Sequence, residues 1–168
     1  MDGAWILLGM MGAGKSTVGR ALAQLADVPF QDTDSLLELR FGRRVASVFA
    51  VYGEEAFRSH ETSILQGLEP GLGVLATGGG IVLAPENWEH FRRLGTTIFI
   101  DVPIEQLKAR LIKSKKRRPL LEHSDWEARF DALAEVRYPL YRQADIHFNV
   151  NAEHLEAAAE QLYERLIS

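Results

Sequence analysis

The stretch ILLGMMGAGKST, residues 6–17, decides the fold of this chain. Its apolar first residues belong to AWILL, residues 4–8, which predicts a buried strand. The segment that follows, KSTVGRALAQLA (residues 15–26), places Val18, Leu22 and Leu25 on one helical stripe. The sequence therefore predicts a strand and a helix that are joined directly by a glycine-rich loop.

This loop has the spacing of a phosphate-binding loop. The pattern G-x-x-x-x-G-K-[ST] is met by Gly9, Gly14, Lys15 and Ser16. In such loops backbone N–H groups surround a phosphate, the lysine reaches the outer phosphates and the hydroxyl binds Mg²⁺. A glycine turn before an exposed lysine is the alternative, and the lack of the N-K-x-D signal of GTPases favours ATP. The loop residues predicted to bind the nucleotide are Gly12, Ala13, Gly14, Lys15, Ser16 and Thr17.

Strand-like and helix-like segments alternate along the rest of the chain. Parallel strands need long crossover connections, which are usually helices, so this alternation predicts an α/β fold. We expect a five-stranded parallel sheet with helices on both faces. The further strands are predicted at residues 28–32, 73–77, 96–100 and 146–150, and the further helices at 34–41, 45–52, 54–68, 85–94, 104–113, 125–138 and 152–166.

The composition limits the size and class of the protein. A chain of 168 residues, 46% of them hydrophobic, fits one compact domain. The net charge of −4 argues against a surface devoted to nucleic acid or anionic membrane. The absence of cysteine excludes disulfides and thiolate metal sites, and no apolar run reaches the roughly 18 residues that span a bilayer. We expect a cytoplasmic monomer without nucleic-acid or membrane partners.

Two carboxylates follow the second predicted strand. Asp32 and Asp34 lie where the open ends of parallel strands collect ligands. One can hold Mg²⁺ through water and the other an acceptor hydroxyl. The alternative for Asp34 is that it only caps the following helix. Asp101, which ends the apolar segment TIFID, is a competing metal carboxylate.

The basic residues divide into one cluster and two isolated arginines. The cluster at residues 113–118 precedes Pro119 and is either a solvated face, a nucleic-acid patch or a mobile loop that brings a guanidinium over a phosphate. An acidic chain with one such patch favours the mobile loop. Arg58 and Arg137 are isolated, and surface positions are their alternative. Three glycines at residues 78–80 follow an apolar strand, which predicts a close approach of the backbone to a ligand.

Six segments resemble the shikimate kinase family in content, order and spacing. They are GMMGAGKSTVGRALA, DTDSLLE, GEEAFRSHE, LATGGGIVL, RRPLL and RYPLYRQAD. The combination of D-T-D, F-R-x-x-E and G-G-G is more selective than the phosphate loop alone. The resemblance implies a single P-loop NTPase domain of the nucleoside-monophosphate-kinase type over residues 1–168, with a substrate-binding region at about 33–61 and a mobile lid at about 112–124. The implied reaction transfers phosphate from ATP, with one Mg²⁺, to the 3-hydroxyl of shikimate in aromatic amino acid biosynthesis.

The resemblance also implies roles for the acidic residues. Asp32 supports the metal through water beside Ser16, and Asp34 holds the accepting hydroxyl. The family strand that matches TIFID does not bind the metal, which demotes Asp101. The implied catalytic residues are Lys15, Asp34 and Arg118.

The family resemblance also assigns the lid arginine and a residue near the adenine. Arg118, directly before Pro-Leu-Leu, resembles the lid arginine, and its neighbour Arg117 is the open alternative. Arg110 is implied to lie near the adenine, so Arg110 and Arg118 join the nucleotide-binding set.

The substrate contacts implied by the resemblance centre on two arginines. Arg58 and Arg137 grip the substrate carboxylate, a task that suits the planar fork of a guanidinium. Glu61 steadies Arg58. The full implied set is Asp34, Phe49, Phe57, Arg58, Glu61, Gly78, Gly79, Gly80 and Arg137.

Two other functions remain open from the sequence. One is a kinase of another small polyol acid such as gluconate, which does not need F-R-x-x-E together with the triple glycine. The other is a catalytically silent relative that binds ATP or another ligand. Lys15, Asp34 and Arg137 argue against a silent relative.

Overall fold

A parallel sheet of five strands forms the centre of the molecule. The structure, a computed structural model, describes residues 3–116 and 118–168. The strands are β1 (Ala4–Leu8), β2 (Phe30–Asp32), β3 (Val74–Ala76), β4 (Gly95–Asp101) and β5 (Ile146–Asn149). Their order is β2-β3-β1-β4-β5, and every neighbouring pair is parallel. The predicted five-stranded α/β fold is confirmed.

Helices connect these strands. Because parallel neighbours require a crossover, each strand except the last is followed by helical chain before the next begins. In the part of the chain that the structure describes, no helix is long and apolar enough to cross a membrane. The helices are α1 (Lys15–Ala26), α2 (Thr33–Phe41), α3 (Val45–Gly67), α4 (Asn87–Leu94), α5 (Ile104–Lys113), α6 (Trp126–Tyr141) and α7 (Leu155–Ile167), with short 3₁₀ helices at Ile81–Leu83 and Pro119–Glu122.

The apolar residues form two separate cores. The larger core surrounds β1, whose five residues are all buried between β3 and β4. The smaller core lies between α2 and α3 and consists of Leu37, Val48, Phe57 and Ile64. The region predicted to bind substrate, residues 33–61, is therefore built around a core of its own.

Helix α3 is interrupted at Gly53. The sequence predicts two helical segments, 45–52 and 54–68, and the structure joins them through Gly53 at φ 81° and ψ 172°. This combination of angles is nearly closed to residues with a Cβ. The interruption sets the direction of the half of α3 that carries Arg58.

Two glycines of α3 give a matched test of this interruption. A Cβ would meet no atom within 4 Å at either Gly53 or Gly67, so only the backbone angles distinguish the two sites. We expect Gly53→Ala to lower the free energy of unfolding by about 1–3 kcal/mol. Gly67→Ala should raise it by about 0.4–1 kcal/mol, because the angles there suit alanine. Urea denaturation of both variants measures the difference, and equal effects would show that Gly53 is not strained for other residues.

Candidate active site

The phosphate loop closes around the ammonium group of Lys15. Lys15 lies at the start of α1, and its Nζ donates hydrogen bonds to the carbonyl oxygens of Gly9 at 2.7 Å and Met10 at 2.9 Å. Burial lowers the pKa of Lys15 to about 8. The N–H groups of residues 15–17, in the first turn of α1, have no acceptor within the helix, as at any helix start. The loop thus collects N–H groups and one ammonium at the end of β1, an arrangement that suits a polyphosphate.

Asp32 connects the phosphate loop to the substrate side of the cleft. Its Oδ2 accepts a hydrogen bond from Ser16 Oγ at 2.5 Å, and its Oδ1 accepts one from the backbone N–H of Asp34 at 2.9 Å. Asp32 is therefore the N-terminal cap of α2. The alternative that Asp34 caps this helix is wrong. Burial raises the pKa of Asp34, and the neighbouring carboxylate of Asp32 raises it further.

The triple glycine makes room for charged side chains of the site. A Cβ on Gly78 would lie 2.9 Å from Asp34 Oδ1 and 3.0 Å from Glu61 Oε1. A Cβ on Gly80 would overlap the guanidinium of Arg58. The groups that approach the backbone at residues 78–80 are the protein's own acidic and basic side chains. The predicted approach to a ligand stays a prediction.

Arg58 is held by an acidic neighbour and lies against an aromatic pair. Its Nη1 donates to Glu61 Oε2 at 2.6 Å, and the Glu61 side chain is only 1% exposed. The guanidinium carbon lies 5.3 Å from the centre of the Phe57 ring, and that ring is 5.3 Å from the ring of Phe49. Burial raises the pKa of Glu61, although the guanidinium of Arg58 acts in the opposite direction. The structure thus brings together four of the predicted substrate residues.

Unpaired polar atoms concentrate in this cleft. Among the described residues, five buried side-chain nitrogen or oxygen atoms have no hydrogen-bond partner. Four of them belong to predicted site residues, and the fifth is on Asn87. Buried polar groups are normally paired, so such a concentration points to a ligand. The four atoms are Arg58 Nε, Glu61 Oε1, Arg118 Nε and Arg137 Nε.

The comparison with protein families agrees with this geometry. The family model described as "Shikimate kinase" matches residues 11–167 of the chain. The chain belongs to the shikimate kinase family. A shikimate kinase of Prochlorococcus marinus (strain MIT 9313) is 41% identical over 162 residues, covering 95% of this chain and 83% of that protein. One of Shewanella oneidensis is 40% identical and covers 95% and 94%.

Solved structures separate the family from the fold. Shikimate kinase from Acinetobacter baumannii in complex with shikimate has a TM-score of 0.92 and 33% identity, and the match covers 99% of this chain and 94% of that one. A gluconokinase from Sinorhizobium meliloti has a TM-score of 0.54 and 16% identity, with 99% and 96% covered, and shows the fold alone. The resemblance stated from the sequence and the P-loop kinase fold are both confirmed.

The segment that the family resemblance makes a lid contains Arg118 next to the cleft. Helix α5 ends at Lys113, and a short 3₁₀ helix follows at Pro119–Glu122. Burial lowers the pKa of Arg118, and the carboxylate of Asp34 is the largest opposing charge. The Arg118 guanidinium therefore lies within electrostatic reach of Asp34. Arg117, the alternative lid arginine, lies outside the described residues.

The shikimate kinase resemblance assigns Arg110 to the adenine, and the structure shows its protein contacts. Its Nε donates to the carbonyl of Gly12 at 2.8 Å and its Nη1 to that of Ala152 at 3.4 Å. Arg110 thus braces the phosphate loop against the chain that follows β5. Contact with a base stays a prediction.

Asp101 lies apart from the catalytic set of the family. The charged groups that act on its carboxyl are Arg142 and His147, and burial raises its pKa. Asp101, Gln106 and Asn149 line a separate cavity of about 440 Å³. These neighbours support the choice of Asp32 over Asp101.

Two residues of the shikimate kinase site were missed in the sequence. The hydroxyl of Thr33 accepts a hydrogen bond from the N–H of Gly78 at 3.0 Å. The hydroxyl of Tyr141 donates to the carbonyl of Gly79 at 2.5 Å. Thr33 stands between the two aspartates of D-T-D, and Tyr141 follows Arg137 by one helical turn. Their positions beside predicted residues were the only available signal.

The raised pKa of Glu61 gives a stability prediction. Glu61 keeps its proton to a higher pH in the folded chain than in the unfolded chain, where the pKa of its carboxyl is near 4.5. This contribution to stability is full below about 4.5 and is lost as the pH rises through the folded pKa. Glu61→Gln cannot titrate, so the variant's free energy of unfolding relative to wild type should grow across that window and then level off. Denaturant unfolding from pH 4 to pH 8 measures this difference, and a constant difference contradicts the burial argument.

Proposed function

We propose that this chain transfers the γ-phosphoryl group of ATP to the 3-hydroxyl of shikimate, giving shikimate 3-phosphate and ADP. The observation that carries the proposal is the set of buried, unpaired polar atoms on Arg58, Arg118 and Arg137 beside a phosphate loop. Three guanidinium groups, each with a buried and unpaired nitrogen, suit two anionic substrates. A relative of 33% identity solved in complex with shikimate supports the choice of acceptor.

Shikimate is proposed to bind in the cleft between α2, α3 and the triple glycine. Arg58 and Arg137 grip its carboxylate, because a guanidinium matches two carboxylate oxygens at once. Phe49 and Phe57 pack against its ring, and Glu61 fixes Arg58 through their 2.6 Å contact. The glycines at 78–80 line the other side of the ligand.

Asp34 is proposed to accept the hydrogen bond of the 3-hydroxyl. That oxygen then attacks the γ-phosphorus while the bond to the bridging oxygen of ADP breaks, and the hydroxyl proton passes to Asp34 or, where Asp34 only orients the hydroxyl, to the transferred phosphoryl group. Such transfer passes through a loose transition state, so alignment and charge stabilisation count for more than proton removal. The backbone N–H of Asp34 is anchored on Asp32, which fixes the start of the helix that carries the side chain.

The nucleotide is proposed to occupy the phosphate loop. Lys15 and Arg118 stabilise charge on the transferred group, and the N–H groups of residues 12 and 14–17 surround the β-phosphate. The N–H of Ala13 donates to the carbonyl of Met10 within the loop. The segment 112–124 acts as the lid and closes with Arg118 over the phosphates. Arg110 borders the adenine.

Ser16 and Asp32, between the phosphate loop and α2, form a pair that fits Mg²⁺. Ser16 Oγ and Asp32 Oδ2 are 2.5 Å apart, and both are hard oxygen donors of the kind that Mg²⁺ prefers. Within residues 3–116 and 118–168, no group of three or more His, Cys, Asp or Glu side chains is arranged to hold a metal. Ser16 would hold the ion directly and Asp32 through water. When bound with ATP, it neutralises charge on the β- and γ-phosphates.

The setting of the enzyme follows from the same proposal. We take residues 1–168 as one domain that works as a cytoplasmic monomer. The net charge of −4 supports the absence of nucleic-acid and anionic membrane partners.

Asp34 and Asp101 provide a matched pair of carboxylates. We expect Asp34→Asn to lower kcat by about 100-fold or more, because a neutral amide oxygen accepts the hydroxyl hydrogen bond more weakly than a carboxylate and cannot take up the proton. ATP affinity should stay near that of wild type. Asp101→Asn should leave kcat nearly unchanged. A coupled assay for ADP release and calorimetric titration of ATP measure both variants, and the reverse order would identify Asp101 as the working carboxylate.

The two arginines of the proposed clamp can be tested without removing their charge. Replacing Arg58 or Arg137 by Lys loses the planar fork and should weaken shikimate binding by about 10- to 150-fold in each case. ATP affinity should change far less. The double variant should lose less than the product of the two effects, because both groups share one anion.

Calorimetric titration of shikimate and of ATP measures these affinities. Arg129→Lys is the control on the same helix as Arg137, since Arg129 pairs with Asp125 on the surface. A shikimate analogue with an amide in place of the carboxylate should bind wild type poorly. Equal binding of this analogue, or loss of ATP affinity in both clamp variants, would favour a gluconate-type kinase or a silent relative.

A further inference from the structure

Tyr141 is a fully buried residue at the end of α6. Its side chain is 0% exposed, and its ring is stacked on Phe99, with centroids 5.2 Å apart and planes at 24°. It follows Arg137 by four residues, so both side chains lie on the same face of α6. The ring belongs to the core, but the hydroxyl reaches the edge of the cleft.

The hydroxyl of Tyr141 contacts both halves of the site. It donates a hydrogen bond to the carbonyl of Gly79 at 2.5 Å. It also lies 3.9 Å from the sulfur of Met10 in the phosphate loop. The guanidinium of Arg137, one helical turn earlier on the same face of α6, lies close enough to the phenol to interact with it electrostatically. The phenol is thus placed between this guanidinium, the triple glycine and the phosphate loop.

The guanidinium of Arg137 has few other constraints. The residue is 6% exposed, and its Nε has no hydrogen-bond partner in the described part of the chain. Its Nη1 lies 3.4 Å from the place where a Cβ on Gly79 would be. Gly79 and the phenol of Tyr141 are therefore the neighbours that border this buried fork.

We propose that Tyr141 is a positioning residue for substrate binding, which holds the Arg137 guanidinium in the orientation that receives the carboxylate of the acceptor. The inference rests on the proposed clamp by Arg58 and Arg137. A fork that is fixed before binding loses less entropy when the carboxylate arrives. Tyr141 itself does not touch the substrate.

The phenol is suited to this task. Burial raises the pKa of Tyr141, so the group stays neutral and keeps its proton for Gly79. Its oxygen lone pairs remain available to Arg137. Phenylalanine would keep the ring and its stacking on Phe99 but would leave both polar partners without the hydroxyl.

The test compares two tyrosines of the same helix. Tyr138 also packs on Phe99, at 5.7 Å between centroids, but its hydroxyl donates to the carbonyl of Val102 at 3.4 Å. We expect Tyr141→Phe to raise both the KM and the Kd for shikimate by about 3- to 10-fold, the effect of one ordinary hydrogen bond. Its kcat and its ATP affinity should stay within about twofold of wild type. Tyr138→Phe should change none of these quantities.

The combination with Arg137→Lys distinguishes this inference from the proposed function. If Arg137→Lys weakens shikimate binding and Tyr141→Phe adds little to it, Tyr141 acts through Arg137. Additive effects, or unchanged shikimate affinity in Tyr141→Phe, overturn the positioning role and leave the clamp standing. Unchanged shikimate affinity in Arg137→Lys overturns the clamp and, with it, this inference. Equal losses for shikimate and ATP in Tyr141→Phe show a general structural role and also overturn it.

A measurement on the wild-type protein covers the case in which Tyr141→Phe does not fold. Nuclear magnetic resonance of arginine side chains reports the rotation of each guanidinium about its Nε–Cζ bond. We expect slow rotation for Arg137 in the absence of shikimate and faster rotation for the exposed Arg92 of α4. Fast rotation of Arg137 overturns the inference.

Discussion

One carboxylate, that of Asp32, holds the two substrate sides of the cleft together. One of its oxygens accepts the hydroxyl of Ser16 in the phosphate loop, and the other caps the helix that begins the substrate region. Charge-assisted bonds of this kind are about twice as strong as neutral ones. Asp32 therefore ties the start of the helix that carries Asp34 directly to the phosphate loop.

The cleft contains more buried charge than the fold itself requires. Lys15, Arg118 and Arg137 are buried enough that desolvation lowers the pKa of each, while burial raises the pKa of Asp34 and Glu61. Every one of these shifts means that burial disfavours the charged form. Anionic ligands restore partners to the cations, so part of the binding free energy offsets strain that is already present in the folded protein.

The sequence predicted the parts of the molecule that are encoded locally. The strand, loop and helix around Lys15 could be identified because their pattern lies within one continuous segment. The sequence could not exclude that Asp34 caps α2, since Asp34 lies at an acceptable distance from the helix start. The structure shows Asp32 as the cap, because its Oδ1 accepts from the N–H of Asp34, while its Oδ2 contacts Ser16, sixteen residues away. Tyr141 was missed for a similar reason, because its partner Gly79 is 62 residues distant.

The predicted start of a helix was wrong where distant side chains take the place of helical hydrogen bonds. Helix α7 begins at Leu155 and not at the predicted residue 152. The N–H of Ala152 is bonded to the side chain of Gln106, and its carbonyl accepts from Arg110. Propensity in the segment from 152 onward favours a helix, but tertiary contacts hold its first residues in the loop.

The division into two cores also affects which parts of the molecule unfold together. Of the residues buried in the smaller core, Leu37 and Phe57 among them, none belongs to the larger core around β1, and the half-buried Leu68 packs against both. Segments with separate cores can open as separate cooperative units. Amide protons of α2 and of the first half of α3 should therefore exchange with solvent through sub-global opening, while the sheet exchanges only on complete unfolding. The acceptor side of the cleft can thus loosen while the sheet stays folded, and the two bonds of Asp32 are the link through which such a movement reaches the phosphate loop.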